Sequence, residues 1–404
     1  MIFQYSTHTN IKDQIKVLAE SLKSLEDQPK LTDNDEVFLN DNLKSFSHTT
    51  FATNLKVAGV SSNGDYPVLR CGNNFIYHTL ADCAVYVSDA VVKLKEIPAE
   101  SNLINAVTSL AKTEKPSREI DQNFEQIADV SVIETIENSD YRELKSAESR
   151  RNNSTDLLYG EMIRPSADDT GNISVQLKSV GLFGMVLSLI KEHRLLDYIL
   201  LETTFSLPSV TLPTGSLFYE HLKRLCCVEA RKRGIKLLTL TKNHGIFQIH
   251  EVEQSARQKQ GLPETVIAEH WYLRLPIFNF DKGSLSFIEN RRFPPAGAVS
   301  YLVRFHRTFP TMRLDMDRDF WMKTVRGKTE NETTENERKI FEDLDYLCHE
   351  QSSYGFPYPL KSSRDKTTLS NSARGRLRKL IIDELLKSGV PRSSIQEFNY
   401  QVAE

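Results

Sequence analysis

No CxxC pair occurs among the five cysteines, Cys71, Cys83, Cys226, Cys227 and Cys348, and their odd number leaves no complete disulfide frame. Those two absences exclude a zinc ribbon and a secreted cystine scaffold, and predict reduced, buried thiols in a cytoplasmic protein. A strong net charge is also missing. The 51 Lys and Arg against 54 Asp and Glu leave a formal charge of −3. A chain so balanced does not attract nucleic acid through its overall field, so any such contact has to come from a local patch. Neither a signal peptide nor an apolar run of membrane length is expected from the pattern. Repeats and low-complexity tracts are lacking as well. What remains is 404 residues, 39% hydrophobic and 26% charged, enough for one large core or two ordinary ones.

Residues 1–50 read as an N-terminal helical segment, with Ile11, Ile15, Leu18, Leu22 and Leu25 at helical spacing. Such a stripe docks on a core or a partner. From 51 to 404 the pattern becomes that of an α/β domain. Residues 55–60 are strand-like, and Ser61-Ser62-Asn63-Gly64-Asp65 is a turn. Residues 75–78 and 83–87 are predicted strands of an antiparallel meander between 57 and 87. The charged stretch 89–151 reads as a helical insertion. A helix over 175–195 feeds an apolar strand, and a second helix over 216–234 ends at Gly234 as its C-cap. Residues 235–240 form a second buried strand. Strand, helix, strand in that order is a βαβ unit, which predicts two parallel strands. Later strands are expected at 270–275 and 300–307, a loop at 323–337, and a helix at 341–350. Residues 355–360 form an extended segment set by proline, and a final helix covers 372–388.

One carboxylate stands out in the apolar strand. Tyr198, Ile199, Leu200 and Leu201 precede Glu202, and Phe205 follows the Thr203-Thr204 turn. An acid there is costly to bury unless it meets a metal, a cation or water. Either Glu202 reaches solvent or caps the turn, or it is a metal ligand at the carboxyl edge of a sheet, where open α/β folds keep their sites.

Several stretches resemble the NurA family of nucleases, which partner a hexameric HerA-type ATPase in DNA end processing. Val57-Ala58-Gly59-Val60-Ser61-Ser62-Asn63-Gly64-Asp65-Tyr66-Pro67 is similar to the family's V-A-G-V-D-G-S-G-D-[FY]-P. Leu200-Leu201-Glu202-Thr203-Thr204-Phe205 resembles its L-L-D-G-[ST]-[FL] strand end, and Leu238-Thr239-Leu240-Thr241-Lys242 the strand-to-Lys segment that follows. Residues 303–306 through Met312-Arg313-Leu314-Asp315 resemble a strand pair with a P-x-[LM]-R core. Gly355-Phe356-Pro357-Tyr358-Pro359-Leu360 through Arg364 resembles the closing G-Y-P-x-P-L-x-x-A-H. The matches keep one order from 57 to 386. The resemblance implies an RNase H-like mixed sheet with flanking helices, a homodimer, DNA and a HerA-type ATPase as partners, and Mn²⁺ or Mg²⁺ if the chain is active.

The departures fall on the family's site positions. Ser61 and Glu202 stand where the family has Asp, Phe356 where it has Tyr, and Arg364 where it has His. The family's ligand Glu on the helix before the second motif has no counterpart before Glu192. Metal-dependent phosphodiester cleavage needs several converging oxygen ligands. Ser61 is neutral, and Glu202 moves its charge one methylene outward, a displacement that can cost about a hundredfold in rate. Arg364 can hold a phosphate but cannot shuttle a proton near neutral pH. A NurA-like subunit with decayed cleavage is the leading expectation. The alternatives are an active Mn²⁺- or Mg²⁺-dependent nuclease using Glu202, with Asp65 as a weak second ligand, and a protein-binding oligomer that never touches DNA.

Arg374, Arg376, Arg378 and Lys379 crowd the start of the final helix, whose buried stripe is expected at Leu377, Leu380, Ile381 and Leu385. With Lys361, Arg364, Lys366 and Lys242 they form either a phosphate-backbone surface or a solvated face. His244, His250, His270 and His306 show no metal-ligand spacing and read as ordinary hydrogen-bonded histidines.

Overall fold

The computed structural model describes residues 11–20, 31–52, 54–64, 67–89, 93–99, 103–111, 118–144, 170–192, 195–205, 217–246, 248–277, 285–288 and 297–397. Asp65, part of the predicted helix start at 216, and much of the charged stretch up to 151 lie outside them. Within the described residues the strands are β1 (Leu43–Ser45), β2 (Lys56–Gly64), β3 (Leu69–Cys71), β4 (Asn74–Asp89), β5 (Lys93–Ile97) and β6 (Ile104–Ala111). They continue with β7 (Tyr198–Leu201), β8 (Lys236–Thr241), β9 (Trp271–Arg274), β10 (Ala298–Arg304), β11 (Met312–Asp317) and β12 (Ile395–Glu397). All join one mixed sheet in the order β1-β9-β10-β11-β8-β7-β2-β4-β3-β12, with β5 and β6 also pairing β4. The fold is mixed α/β.

The βαβ expectation holds. Strand β7 lies parallel to both β2 and β8, with Val60 beside Leu201 and Leu201 beside Thr239. The helix before β7, α5 (Thr170–Glu192), and the one after it, α6 (Leu217–Arg233), pack on one face. With them lie α3 (Arg118–Ala128) and α4 (Val132–Asn138). Leu177, Val180, Phe183, Leu187 and Ile190 of α5 are all buried there. This helix is long and apolar enough to cross a membrane, yet 78% of that stretch is buried inside the protein. Its hydrophobicity therefore serves the core. Gly234 ends α6 with φ 71°, and the Ile235 N–H donates to the Ala230 carbonyl.

The opposite face carries α8 (Glu330–Leu347) and α9 (Tyr358–Thr367), against Val57, Tyr198, Leu200, Leu238 and Leu240. Strand alternation sorts the residues: Ala58, Val60, Ile199 and Leu201 turn to the α5 side, and their neighbours turn to the α8 side. At the far end, α2 (Asp33–Asn42) and α7 (Ile249–Lys259) cover Trp271, Leu273 and Leu302. Residues 11–20 form α1, and Ile11 and Ile15 there are 52% and 57% exposed.

Several expectations are corrected. The two strands placed at 75–78 and 83–87 are one strand of 16 residues. The stretch from 89 is not helical at its start, because β5 and β6 pair with β4 there and helix begins only at α3. The segment 323–337 is not a loop. A π-helical turn (Trp321–Val325) leads to α8, which starts at Glu330 with Thr329 as N-cap, its hydroxyl accepting from the Glu332 N–H. Residues 355–360 do not stay extended: Pro359 sits in the first turn of α9, where its missing N–H has no partner to lose. The last helix, α10 (Asn371–Lys387), anchors through Ile381, Ile382 and Leu385, while Leu380 is 59% exposed.

His221 of α6 is buried beside Ser139 and Tyr141. Burial, reinforced by the charge of Arg142, pushes its pKa down to about 4. Between that value and the unfolded reference of about 6.5, the unfolded chain binds more protons than the folded one. Stability therefore falls as pH drops through this window, by up to about 3 kcal/mol. Urea midpoints should decline from pH 6.5 to 4, and His221→Gln should flatten that decline. An unchanged slope in the variant would contradict the assignment.

Candidate functional site

The carboxyl ends of β2, β7 and β8 form one edge, and alternation brings Ser61, Glu202 and Lys242 to the α9 side of it. Helix α9 comes unusually near. Gly59 has no Cβ, and one placed there would stand 2.1 Å from the Pro359 carbonyl oxygen. The helix face turned inward is small, with Ser363 and Thr367 buried beside Leu360. That approach sets the Thr367 hydroxyl 3.1 Å from that of Ser61, and the Asn63 side-chain amide donates to the Thr367 carbonyl.

One turn earlier in α9, the Arg364 guanidinium donates to the Glu202 carboxylate. Its carbon lies 5.1 Å above the centroid of the Phe356 ring, which is buried. Phe356 packs on Phe309, and the Lys242 ammonium lies 4.9 Å from the Phe309 centroid. The exit from β7 is fixed beneath this group. The Phe205 N–H donates to the buried Asp315 carboxylate, which Arg313 grips through Nε and Nη2. Ser61, Glu202, Phe356, Arg364 and Lys242 are thus joined by contacts and strand register, although they are spread over 304 positions of sequence.

Other basic residues lead elsewhere. The Lys366 ammonium pairs with Glu96 of β5 and donates to the Cys83 carbonyl. Arg376 is exposed, and Arg374 and Arg378 are half-buried on α10. Where α5 passes the end of β2, the Ser62 hydroxyl donates to the Lys178 backbone carbonyl. Glu192, at the far end of that helix, accepts from Ser188.

Mg²⁺ and Mn²⁺ ask for several oxygen ligands in fixed geometry. At this edge the described residues supply the Glu202 carboxylate, already engaged by a guanidinium, the Ser61 hydroxyl and, across the strand from Ser61, the Asp82 carboxylate, and no three acid or imidazole donors among them converge on one point. That donor set does not fit such an ion. Among the described residues, the group able to hold a metal lies elsewhere: His48, His270, Asp345 and His349. Sequence spacing alone marks His270 as an ordinary hydrogen-bonded histidine. The Asp345-x-x-x-His349 spacing across the end of α8 is the local signal, and the remaining two ligands come from distant segments.

The fold and edge define a mixed α/β protein with a cationic group at the carboxyl ends of parallel strands. Among solved structures the chain is similar to the NurA nuclease from Sulfolobus solfataricus, at 13% identity and a TM-score of 0.42, over 95% of this chain and 97% of that one. It is also similar to NurA bound to dAMP and manganese, at 10% identity and a TM-score of 0.35, over 96% and 98% of the two chains. No family model matches the chain, and no curated protein matches it.

Proposed function

We propose that this chain is a NurA-like, DNA-associated subunit whose own cleavage is impaired. In this reading it acts beside a HerA-type hexameric ATPase in cytoplasmic DNA repair or in defence against foreign DNA, as a homodimer on an RNase H-like core. One observation carries it: Arg364 occupies the Glu202 carboxylate at the edge where the sequence motifs converge. A guanidinium in that place neutralises the anion that a catalytic cation would need, and leaves Lys242 as a further positive charge beside it. Such an edge suits a phosphate backbone held without sequence readout. The antiparallel meander feeding a parallel pair through helices supports the RNase H-like core.

Binding to DNA should therefore weaken as salt rises. Replacing Arg374, Arg376 and Arg378 by Gln should lower the log–log salt slope by about 2 to 3, at 0.7–0.9 per lost phosphate contact. Fluorescence anisotropy over a salt series reads this. Binding without salt dependence would favour the protein-binding oligomer instead. Co-purification with a hexameric ATPase tests the partnership separately from any activity.

A further inference from the structure

We propose that His48, His270, Asp345 and His349 form a closed site for a transition-metal ion of the zinc class. The site would staple the segment after β1 to the start of β9 and the end of α8. The four residues each offer one donor atom, and these atoms lie within 4.8 Å of one another. Asp345 Oδ1 is 3.4 Å from His270 Nε2 and 3.3 Å from His349 Nδ1. Donors on a tetrahedral ion with bonds near 2.05 Å are about 3.4 Å apart, so this spacing needs little change on binding.

A second observation points to a ligand. Asp345 is completely buried, and its Oδ1 has no hydrogen-bond partner; His270 Nε2, which faces it, has none either. A buried carboxylate oxygen left in this way carries a full desolvation cost unless a cation meets it. The other oxygen is already held, by the Thr49 N–H at 2.8 Å and by His48 Nδ1 at 2.8 Å. His349 Nδ1 also lies 2.8 Å from the Asp345 carbonyl oxygen, a hydrogen bond that gives way, with release of its proton, when Nδ1 takes a metal. His270 holds its place with φ 57°, a left-handed backbone seldom adopted by a residue with a side chain. His306 packs edge-on to His349 at 5.6 Å and closes the group on one side.

Three imidazoles and one carboxylate suit Zn²⁺, Co²⁺ or Ni²⁺, whereas Mg²⁺ and Mn²⁺ prefer oxygen. This inference is independent of the function proposed above, because it involves none of the residues at the Glu202 edge. Its role is structural: α8 runs directly into the segment that carries Phe356 and α9.

The test uses the untagged full chain, stripped with chelator and reloaded with Zn²⁺ or Co²⁺. Elemental analysis should find about one Zn²⁺ per chain, and Co²⁺ should give the intense visible bands of a tetrahedral site. His48→Ala, at the most exposed ligand, and His349→Ala should each weaken Zn²⁺ binding at least tenfold. His250→Ala, exposed on α7, should leave it unchanged. If a variant fails to fold, the Co²⁺ spectrum of the unaltered chain still decides. Absence of those bands, less than about a tenth of an equivalent of Zn²⁺, or equal uptake by the His48→Ala variant would overturn the proposal.

Discussion

Gly59→Ala should lower the unfolding free energy by about 3 kcal/mol or more, the upper end for overpacking. The added Cβ would lie 2.1 Å from the Pro359 oxygen and 2.5 Å from the Leu360 nitrogen, and both are backbone atoms. No side chain can rotate away. Either α9 lifts from β2 or the sheet bends, and in both cases Arg364 and Thr367 leave Glu202 and Ser61. Gly375→Ala is the matched control, because nothing lies within 4 Å of a Cβ there. In the exposed part of α10 it should stabilise by about 0.5–1 kcal/mol through helix propensity. Urea denaturation of the two variants reads both effects. A loss below about 0.5 kcal/mol for Gly59→Ala would contradict the close approach of helix and strand.

Arg224→Ala should cost about 3–5 kcal/mol, the range for breaking one side of a buried ion network. Arg224 is fully buried in α6, with Nε 2.7 Å from Asp140 and Nη2 2.7 Å from Asp317, while Nη1 donates to the Gly297 carbonyl. Arg231 grips the same two carboxylates from two turns further along α6. Burial alone would raise the Asp140 pKa, but the two guanidiniums outweigh it and hold the carboxyl below its usual range. Removing Arg224 leaves Asp140 and Asp317 sharing one partner, Arg231, whose side chain is 15% exposed. Arg224→Lys should recover only part of the loss, since an ammonium cannot span both carboxylates with a planar fork. Equal stability for the Lys variant and the parent would show that charge alone suffices.

The sequence carried more of the central fold than of its margins, for local reasons. Apolar runs at β7 and β8, with a capped helix between them, allow few arrangements, and the parallel pair followed. Alternation along β2 and β7 already assigned Ser61 and Glu202 to one face once their strands were adjacent. Strands β5 and β6 were hidden because they lie on the outside of β4. Lys95 and Glu96 face solvent there, and β6 buries mainly Thr108 and Leu110. Helix α8 was missed at its start because its buried positions include Thr333 and Glu337, which read as polar until Arg274 and Tyr301 are seen to meet Glu337.

At the site, the substitutions were legible and their consequence was not. Nothing in the local sequence says that Arg364, 162 positions from Glu202, reaches back to pair with it. That contact depends on Gly59 and the small inner face of α9. The histidine cluster is more hidden still, since its ligands come from the segment after β1, the start of β9 and the end of α8.

Cleavage is the most direct measurement of the account. Purified protein is incubated with labelled single- and double-stranded DNA and Mn²⁺ or Mg²⁺, alone and with a hexameric ATPase partner, beside Glu202→Gln. The occupied carboxylate predicts DNA that is bound and left intact in every arm, with Glu202→Gln indistinguishable from the parent. Metal-dependent cleavage that disappears in Glu202→Gln would contradict it, and would place Glu202, with further ligands such as Asp65, in a working catalytic centre.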